Sequence, residues 1–181
     1  MIHTIRNFFW KSDIKKETAK LKRAKSFISL EQAKTIGILY NVGDEKDYIT
    51  VTNLFVELQQ QKKEVRTLGL IPYKDHPHYC YPRLLYDYIT LKNINWYKKP
   101  FGEKIRDFMH KDFDILFNLD TTQNPALTYV YALSHAKFKV AIENTANKEF
   151  ADLMIATKDT VSTTDLYAYM LNYVKMFTEK S

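Results

Sequence analysis

The chain alternates between two hydrophobic periods. From residue 4 to 25 there is no Gly or Pro, and apolar and basic positions interleave. Ile2, Ile5 and Phe9 share one helical face, and Trp10, Ile14, Leu21 and Ile28 continue a seam of sevenfold spacing. This spacing predicts an amphipathic helix with a narrow apolar stripe. Thr35-Ile36-Gly37-Ile38-Leu39-Tyr40-Asn41 is short, apolar and β-branched, as a buried strand requires, and Asn41-Val42-Gly43-Asp44 reads as the turn after it. Val51, Leu54, Phe55 and Leu58 fall at i, i+3, i+4 and i+7 of a helix ending near 59–63. A second strand runs from Val65 to Ile71 and stops at Pro72. Strand, helix and strand at this spacing predict a βαβ unit and hence a parallel sheet.

Further along, the pattern predicts a loop after residue 73, a strand near 87–91 and a turn at Asn93-Ile94-Asn95. A short helix on Phe101, Ile105, Phe108 and Met109 follows, then a strand at 114–119. Asn124-Pro125 marks a helix start, with Asn as N-cap and Pro at the first helical position. That helix, to about His135, is apolar on most sides and should be well buried. Strands at 138–142 and 152–156 come next, and a last helix begins near 162–165 with Leu166, Tyr169, Met170, Tyr173 and Phe177 as its face. The expectation is an α/β fold: a Rossmann-like, doubly wound, mostly parallel sheet in residues 35–181, preceded by a basic amphipathic helical arm in 1–34.

Charge sharpens that division. Residues 1–34 hold nine Lys/Arg and three Asp/Glu, a net of +6, while the remaining eighteen of each sign cancel. Such segregation marks a partner-seeking segment and leaves the body without bias toward nucleic acid. Three fates fit the helix. It packs its seam on the body or on a second copy with its lysines solvated, it contacts RNA phosphates, or it lies on anionic lipid with Phe8, Phe9 and Trp10 inserted. Lys11, Lys15, Lys16, Lys20, Lys22 and Arg23 are its candidate contacts with an RNA, ribonucleoprotein or protein partner. With 181 residues one domain is expected. A single cysteine, Cys80, precludes an internal disulfide, no apolar run approaches a membrane span, and no signal-peptide pattern is present, which together place the chain in the cytoplasm.

Candidate chemistry follows from the sheet. Ligands of open parallel sheets sit beyond the carboxyl ends of the strands, which selects Asn41, Gly43 and Asp44, then Asp120, Thr121, Thr122, Gln123 and Asn124, then Glu143 and Asn144, then Lys158 and Asp159. The second group clusters hydroxyls and amides at a helix N-terminus suited to a small anion, although capping alone also accounts for these residue types. Four glycines (37, 43, 69 and 102) cannot build GxGxxG or GxxxxGK[ST], so no nucleotide cofactor is expected. His76, His78 and Cys80 would share one side of an extended segment, but Pro77 and the lack of a fourth ligand argue for an ordinary loop and no metal. Cys80 has no neighbour that would lower its pKa, and His110 and His135 read as core-edge histidines.

Two segments, Ile36–Asp44 with its Gly43-Asp44 pair and Phe113–Val140, resemble the N-terminal half of bacterial heptosyltransferases, glycosyltransferases of two Rossmann-like halves. The resemblance implies a general base at Asp44 and a nucleotide-sugar held mainly by a second half. Lys92–Pro100, Phe113–Leu119 and Ala136–Val140, with the basic helix, more closely resemble an uncharacterised bacterial family of this length, which implies the fold. The expected function is a non-catalytic binding or adaptor protein. The alternatives are a glycosyltransferase-like enzyme or anion binder acting as a homodimer across a cleft, and a peripheral membrane protein.

Overall fold

Each apolar, β-branched run read above forms a strand, and all of them pair in parallel. The structure, a computed structural model, describes residues 2–81, 83–157 and 161–176. In chain order the elements are α1 (Ile2–Lys20), β1 (Thr35–Asn41), α2 (Glu45–Gln60), β2 (Glu64–Leu70), β3 (Tyr86–Ile89), α3 (Glu103–His110), β4 (Ile115–Asn118), α4 (Pro125–Leu133), β5 (Phe138–Ile142), β6 (Leu153–Ile155) and α5 (Thr163–Met176). The sheet order is β3-β2-β1-β4-β5-β6, the order of a dinucleotide-binding Rossmann sheet. Register is set by apolar pairs such as Ile36 with Val65 and Ile38 with Phe117. Because helices cover both faces, β1 is buried along its centre and shows no polar alternation. Gly37 is needed there: a Cβ would lie 2.8 Å from Leu116 and 2.9 Å from Phe113.

One face packs α2 and α5, through Tyr48, Val51, Leu54, Phe55 and Leu58 against Leu166, Met170 and Val174. The other packs α3 and α4, through Ile105 and Phe108 beside Ala126, Leu127, Val130 and Tyr131. Outside α4 lies a third layer. α1 places Ile14 on Tyr129 and Ala132, with Trp10, Leu133 and Phe150 packed around them. This explains why α4 is apolar all round: residues 126 to 132 are all buried, between the sheet and α1.

The segment after α1 crosses under the N-terminal ends of the strands. Arg23 forms a two-pronged ion pair with Asp152 at 2.5 and 2.7 Å and donates a further bond to the Ala136 carbonyl at 3.1 Å. Ser26 N donates to Lys137 O, and Phe27 meets Phe138 at 5.0 Å. Leu30 and Ala33 then enter the core on the α2/α5 face. Asp114 closes the crossing by accepting from Lys34 N, Thr35 N and Lys137 Nζ. Burial raises its carboxyl pKa, but the Lys137 ammonium and the two backbone donors outweigh this and hold it at about 2.

Several expectations shift. The first helix ends at Lys20 rather than near 25, because Arg23 and Ser26 need an extended backbone to reach Asp152 and Lys137. Leu21 and Ile28 therefore do not continue its seam, and Ile28 packs on the opposite side of the sheet. On α5 the buried set is Leu166, Tyr167, Met170, Leu171 and Val174, whereas Tyr169 and Tyr173 are exposed. The phenol tolerates water, so Tyr169 and Tyr173 can face outward, while Tyr167 is buried with the non-aromatic side chains. Phe177 lies outside the described residues. Phe101 precedes α3 and is exposed.

The Arg23 side chain is only 5% exposed in this pair. Arg23→Ala is expected to lower unfolding free energy by about 3 kcal/mol in a urea titration. The Arg23→Ala/Asp152→Ala double variant should lose no more than the worse single change, because the two groups act as one unit.

Candidate functional site

The strand order reverses between β1 and β4, so the crevice beyond their carboxyl ends is where this sheet would take a ligand. From β1 the chain presents Asn41, half-buried, whose Oδ1 is buried without a hydrogen-bond partner. Gly43 follows, where a Cβ would stand 3.1 Å from Asp47 Oδ2. Asp44 is the N-cap of α2, its Oδ1 accepting from Asp47 N at 2.9 Å. Asp47 in turn accepts from Thr163 Oγ1 at 2.7 Å, and Thr50 meets Thr164 at 3.0 Å, fixing the start of α5 on the first turn of α2.

From β4 the chain presents an internally bonded turn. Asp120 is 2% exposed. Its carboxylate accepts from Thr122 N at 2.9 Å, Thr122 Oγ1 at 2.6 Å and Asn124 N at 2.7 Å. Thr121 and Thr122 are exposed, and Gln123 adopts a left-handed φ of 53°. Asn124 caps α4 by accepting from Ala126 N at 2.9 Å. Two buried amides complete the turn. Asn118 donates to Asn147 Oδ1 and accepts from Asp120 N, and Asn147 donates to Ile142 O. Sequence reasoning passed over both. The signal for Asn118 is an amide closing an otherwise apolar strand, and Asn147 carries none. Glu143 and Asn144 end β5, while Lys158 and Asp159 lie outside the described residues.

The structure thus brings the two predicted groups to adjacent strand ends, and it also shows what their donors and acceptors are engaged in. A phosphate approaching α2 would meet Asp44, Glu45 and Asp47. One approaching α4 would find the N–H groups of 122 and 124 already bonded to Asp120. The N-terminus of α2 is capped by the Asp44 carboxylate and that of α4 by the Asn124 carboxamide, so these usual sources of anion affinity are partly engaged within the chain.

Other candidates separate. The His76 ring meets Tyr88 edge-on at 5.2 Å and His78 meets Tyr79 at 5.4 Å, so the two imidazoles do not converge. Among the described residues no group of three His, Cys, Asp or Glu side chains is placed to hold a metal. Cys80 is buried, and burial pushes its thiol pKa up despite a hydrogen bond with Tyr88. His110 and His135 stack edge to face at 5.3 Å and line a cleft of about 340 Å³ with Glu17, Lys20, Lys99 and Tyr129. The neighbouring network is structural: Tyr129 OH donates to Asp13 at 2.6 Å and Lys99 pairs with the same carboxylate at 2.9 Å, pinning α1 to the body.

The basic residues divide in two. Lys11, Lys15, Lys16, Lys20 and Lys22 are exposed, and Lys20 pairs with Glu17 at 2.9 Å. Arg23 is engaged with Asp152 and is withdrawn from any partner. A cation absent from the sequence reading is Lys139, 2% exposed, donating to Ala132 O at 2.9 Å over the Tyr131 ring. Burial, reinforced by the Arg23 guanidinium and opposed by Asp152, pushes its ammonium down to about 7.

A family model described as a family of unknown function (DUF6913) matches residues 6–177. No curated protein matches the sequence. Among solved structures, a cysteine-to-alanine mutant of a DJ-1 superfamily protein from Salmonella typhimurium is 12% identical, with 81% of this chain and 91% of that chain covered and a TM-score of 0.36. No helix among the described residues is long and apolar enough to cross a membrane.

Lys139 gives a pH signature of definite sign. Below about pH 7 the group is charged in folded and unfolded chains alike, and its desolvation cost is felt in full. Between 7 and the ordinary value of 10.5 the unfolded chain holds a proton that the folded one has lost, so stability contributed by this site rises with pH. Lys139→Met is expected to remove that rise and to stabilise the protein by roughly 2 kcal/mol at pH 6, measured by urea denaturation across pH 6 to about 10.

Proposed function

The chain belongs to this family of unknown function, and we propose that it is a non-catalytic binding protein whose α1 surface docks on RNA. The observation that carries the reading is a cationic surface held in a fixed position. Lys11, Lys15, Lys16 and Lys22 are exposed, while α1 is fastened behind them by Ile14 on Tyr129 and Ala132 and by Asp13 on Lys99 and Tyr129. Among the described residues Lys11, Lys15 and Lys22 form no ion pair, and Lys16 acts on Asp13 only at a distance. Their charge is therefore available to an outside polyanion. Clamping the helix removes much of the ordering cost that a flexible arm would meet on binding. The family match runs from residue 6, inside α1, to residue 177, so it covers both the helix and the sheet.

The reading as a binder rather than a catalyst draws on the strand ends. Asp44, the general base implied by the heptosyltransferase likeness, caps α2, and Asp120 is committed to three internal bonds. These roles position backbone and leave few free groups to move protons.

Lysine–phosphate contacts release counterions, so affinity should fall steeply with salt. In a fluorescence-anisotropy titration with a labelled RNA of about 12 nucleotides, log affinity against log salt should have a slope of about −3, four contacts at about −0.7 each. Reversing Lys11, Lys15, Lys16 and Lys22 to Glu should abolish binding, and Asp44→Ala should leave it unchanged. Binding that survives the reversal would sink the proposal.

A further inference from the structure

Large apolar side chains crowd the N-terminal half of α1 and the loop beside it. Phe8 is 68% exposed, Trp96 58%, and Ile5 and Phe9 46% each. The aromatic rings among them form one continuous cluster. Phe9 lies 5.9 Å from Phe8 at 81° and 5.2 Å from Trp96 at 66°, and Trp96 lies 5.3 Å from Tyr97 at 76°. An exposed group of this size on a folded protein marks an interaction site.

Trp96 is displayed by a rigid device. Ile94 and Pro100 bridge antiparallel at the base of its loop. Asn95 Oδ1 accepts from Tyr97 N at 3.1 Å and Lys99 N at 2.9 Å, Asn95 N donates to Lys99 O at 3.0 Å, and Lys98 N donates to Asn95 O at 3.0 Å. Lys98 takes a left-handed φ of 71° to close the turn. The loop is joined to α1 through Lys99 and Asp13, so the indole and the helix keep one relative position.

From this arrangement we infer that Phe8, Phe9 and Trp96 form a stacking platform for unpaired bases of a single RNA strand, whose phosphates run on to Lys11, Lys15 and Lys16. The inference rests on the RNA reading above and specifies the class of RNA. Its argument is the order of side chains along the outer side of α1. The apolar stripe of Trp10 and Ile14 is already covered by α4. On the solvent side Phe8, Ser12 and Lys15 recur at i, i+4 and i+7, and Ile5, Phe9 and Lys16 at i, i+4 and i+11. The surface therefore changes from aromatic to cationic along the helix axis. A helix that lies in a bilayer interface separates the two kinds of residue around its circumference instead. A single strand has the matching composition, flat apolar bases beside a regular line of negative charge, and its binders pair aromatic faces with a cationic track. Phe8 to Lys15 spans about 10 Å of helix, or about three stacked nucleotides at about 3.4 Å each.

The ring planes fit this use. Phe9 stands at a steep angle between Phe8 and Trp96 and leaves each of those two with water-exposed surface. Neither ring contributes to the buried clusters, so both can be changed without opening the core.

The test uses the full chain and anisotropy titrations with unstructured single-stranded RNA, a duplex RNA of equal length, and anionic phosphatidylserine vesicles as a flotation control. Trp96→Ala and Phe8→Ser should each weaken single-strand binding about tenfold, Trp96→Phe should restore it to within about twofold, and melting temperatures should be unchanged. The salt slope should be the same in Trp96→Ala as in the parent, because no charge is lost. Duplex should bind more weakly and be indifferent to both changes. If single-strand affinity ignores Trp96→Ala and Phe8→Ser while the lysine reversal still abolishes it, the platform is overturned and the RNA reading stands. Equal affinity for duplex also overturns the platform. If no RNA binds and the chain floats with the vesicles, both fall.

Discussion

The fold depends on covering α4 from two sides. Residues 126 to 132 are buried around the whole circumference of this helix, and a helix of that kind is stable in water only when something apolar lies on each flank. The sheet covers one flank through Leu127, Val130 and Tyr131, and α1 covers the other through Ile14 and Trp10. The first helix is for this reason a structural layer and not a tether. Its outer surface, with the lysines and the aromatic cluster, is the surface left over once that cover is in place.

A second constraint follows from the first. To serve α4 on one face and still deliver the chain to β1 at the centre of the sheet, the segment after α1 must pass beneath the strands. Its polar groups need partners, which are supplied by residues that precede the strands: Asp114 before β4 and Lys137 before β5 take its backbone N–H groups, and Asp152 before β6 takes the Arg23 side chain. At the opposite rim of the sheet Asp44 caps α2, Asp120 holds the turn before α4, and Asn118 and Asn147 bond each other. Both rims of the sheet thus carry internal polar bonds, and the lysines and aromatic residues of α1 and its neighbouring loop stay exposed.

Most of the architecture was legible in the sequence, because period and punctuation act locally. The strands at 35–41 and 138–142, the cap at Asn124, and the buried face of α2 all follow from apolar spacing and turn chemistry. What escaped was set by distant partners. The helix could not be seen to stop at Lys20, because the reason is Asp152, 129 residues from Arg23. The rotated face of α5 depends on which side chains meet α2. The candidate residues at the strand ends were found, but their engagement was not, since a capping carboxylate and a ligand-binding one look alike until the hydrogen bonds are seen. Trp96 carried no recognisable pattern, because its display depends on a turn with a left-handed lysine.

The separation in sequence between α1 and the groups that seat it has a consequence for biosynthesis. Asp13 waits for Tyr129, 116 positions later, and Arg23 for Asp152. On a growing polypeptide the leading helix emerges long before its seat exists, and contacts of such range form late. During that interval Trp10 and Ile14 are open to water together with the lysines, so the nascent chain offers a broader and greasier amphipathic surface than the mature one.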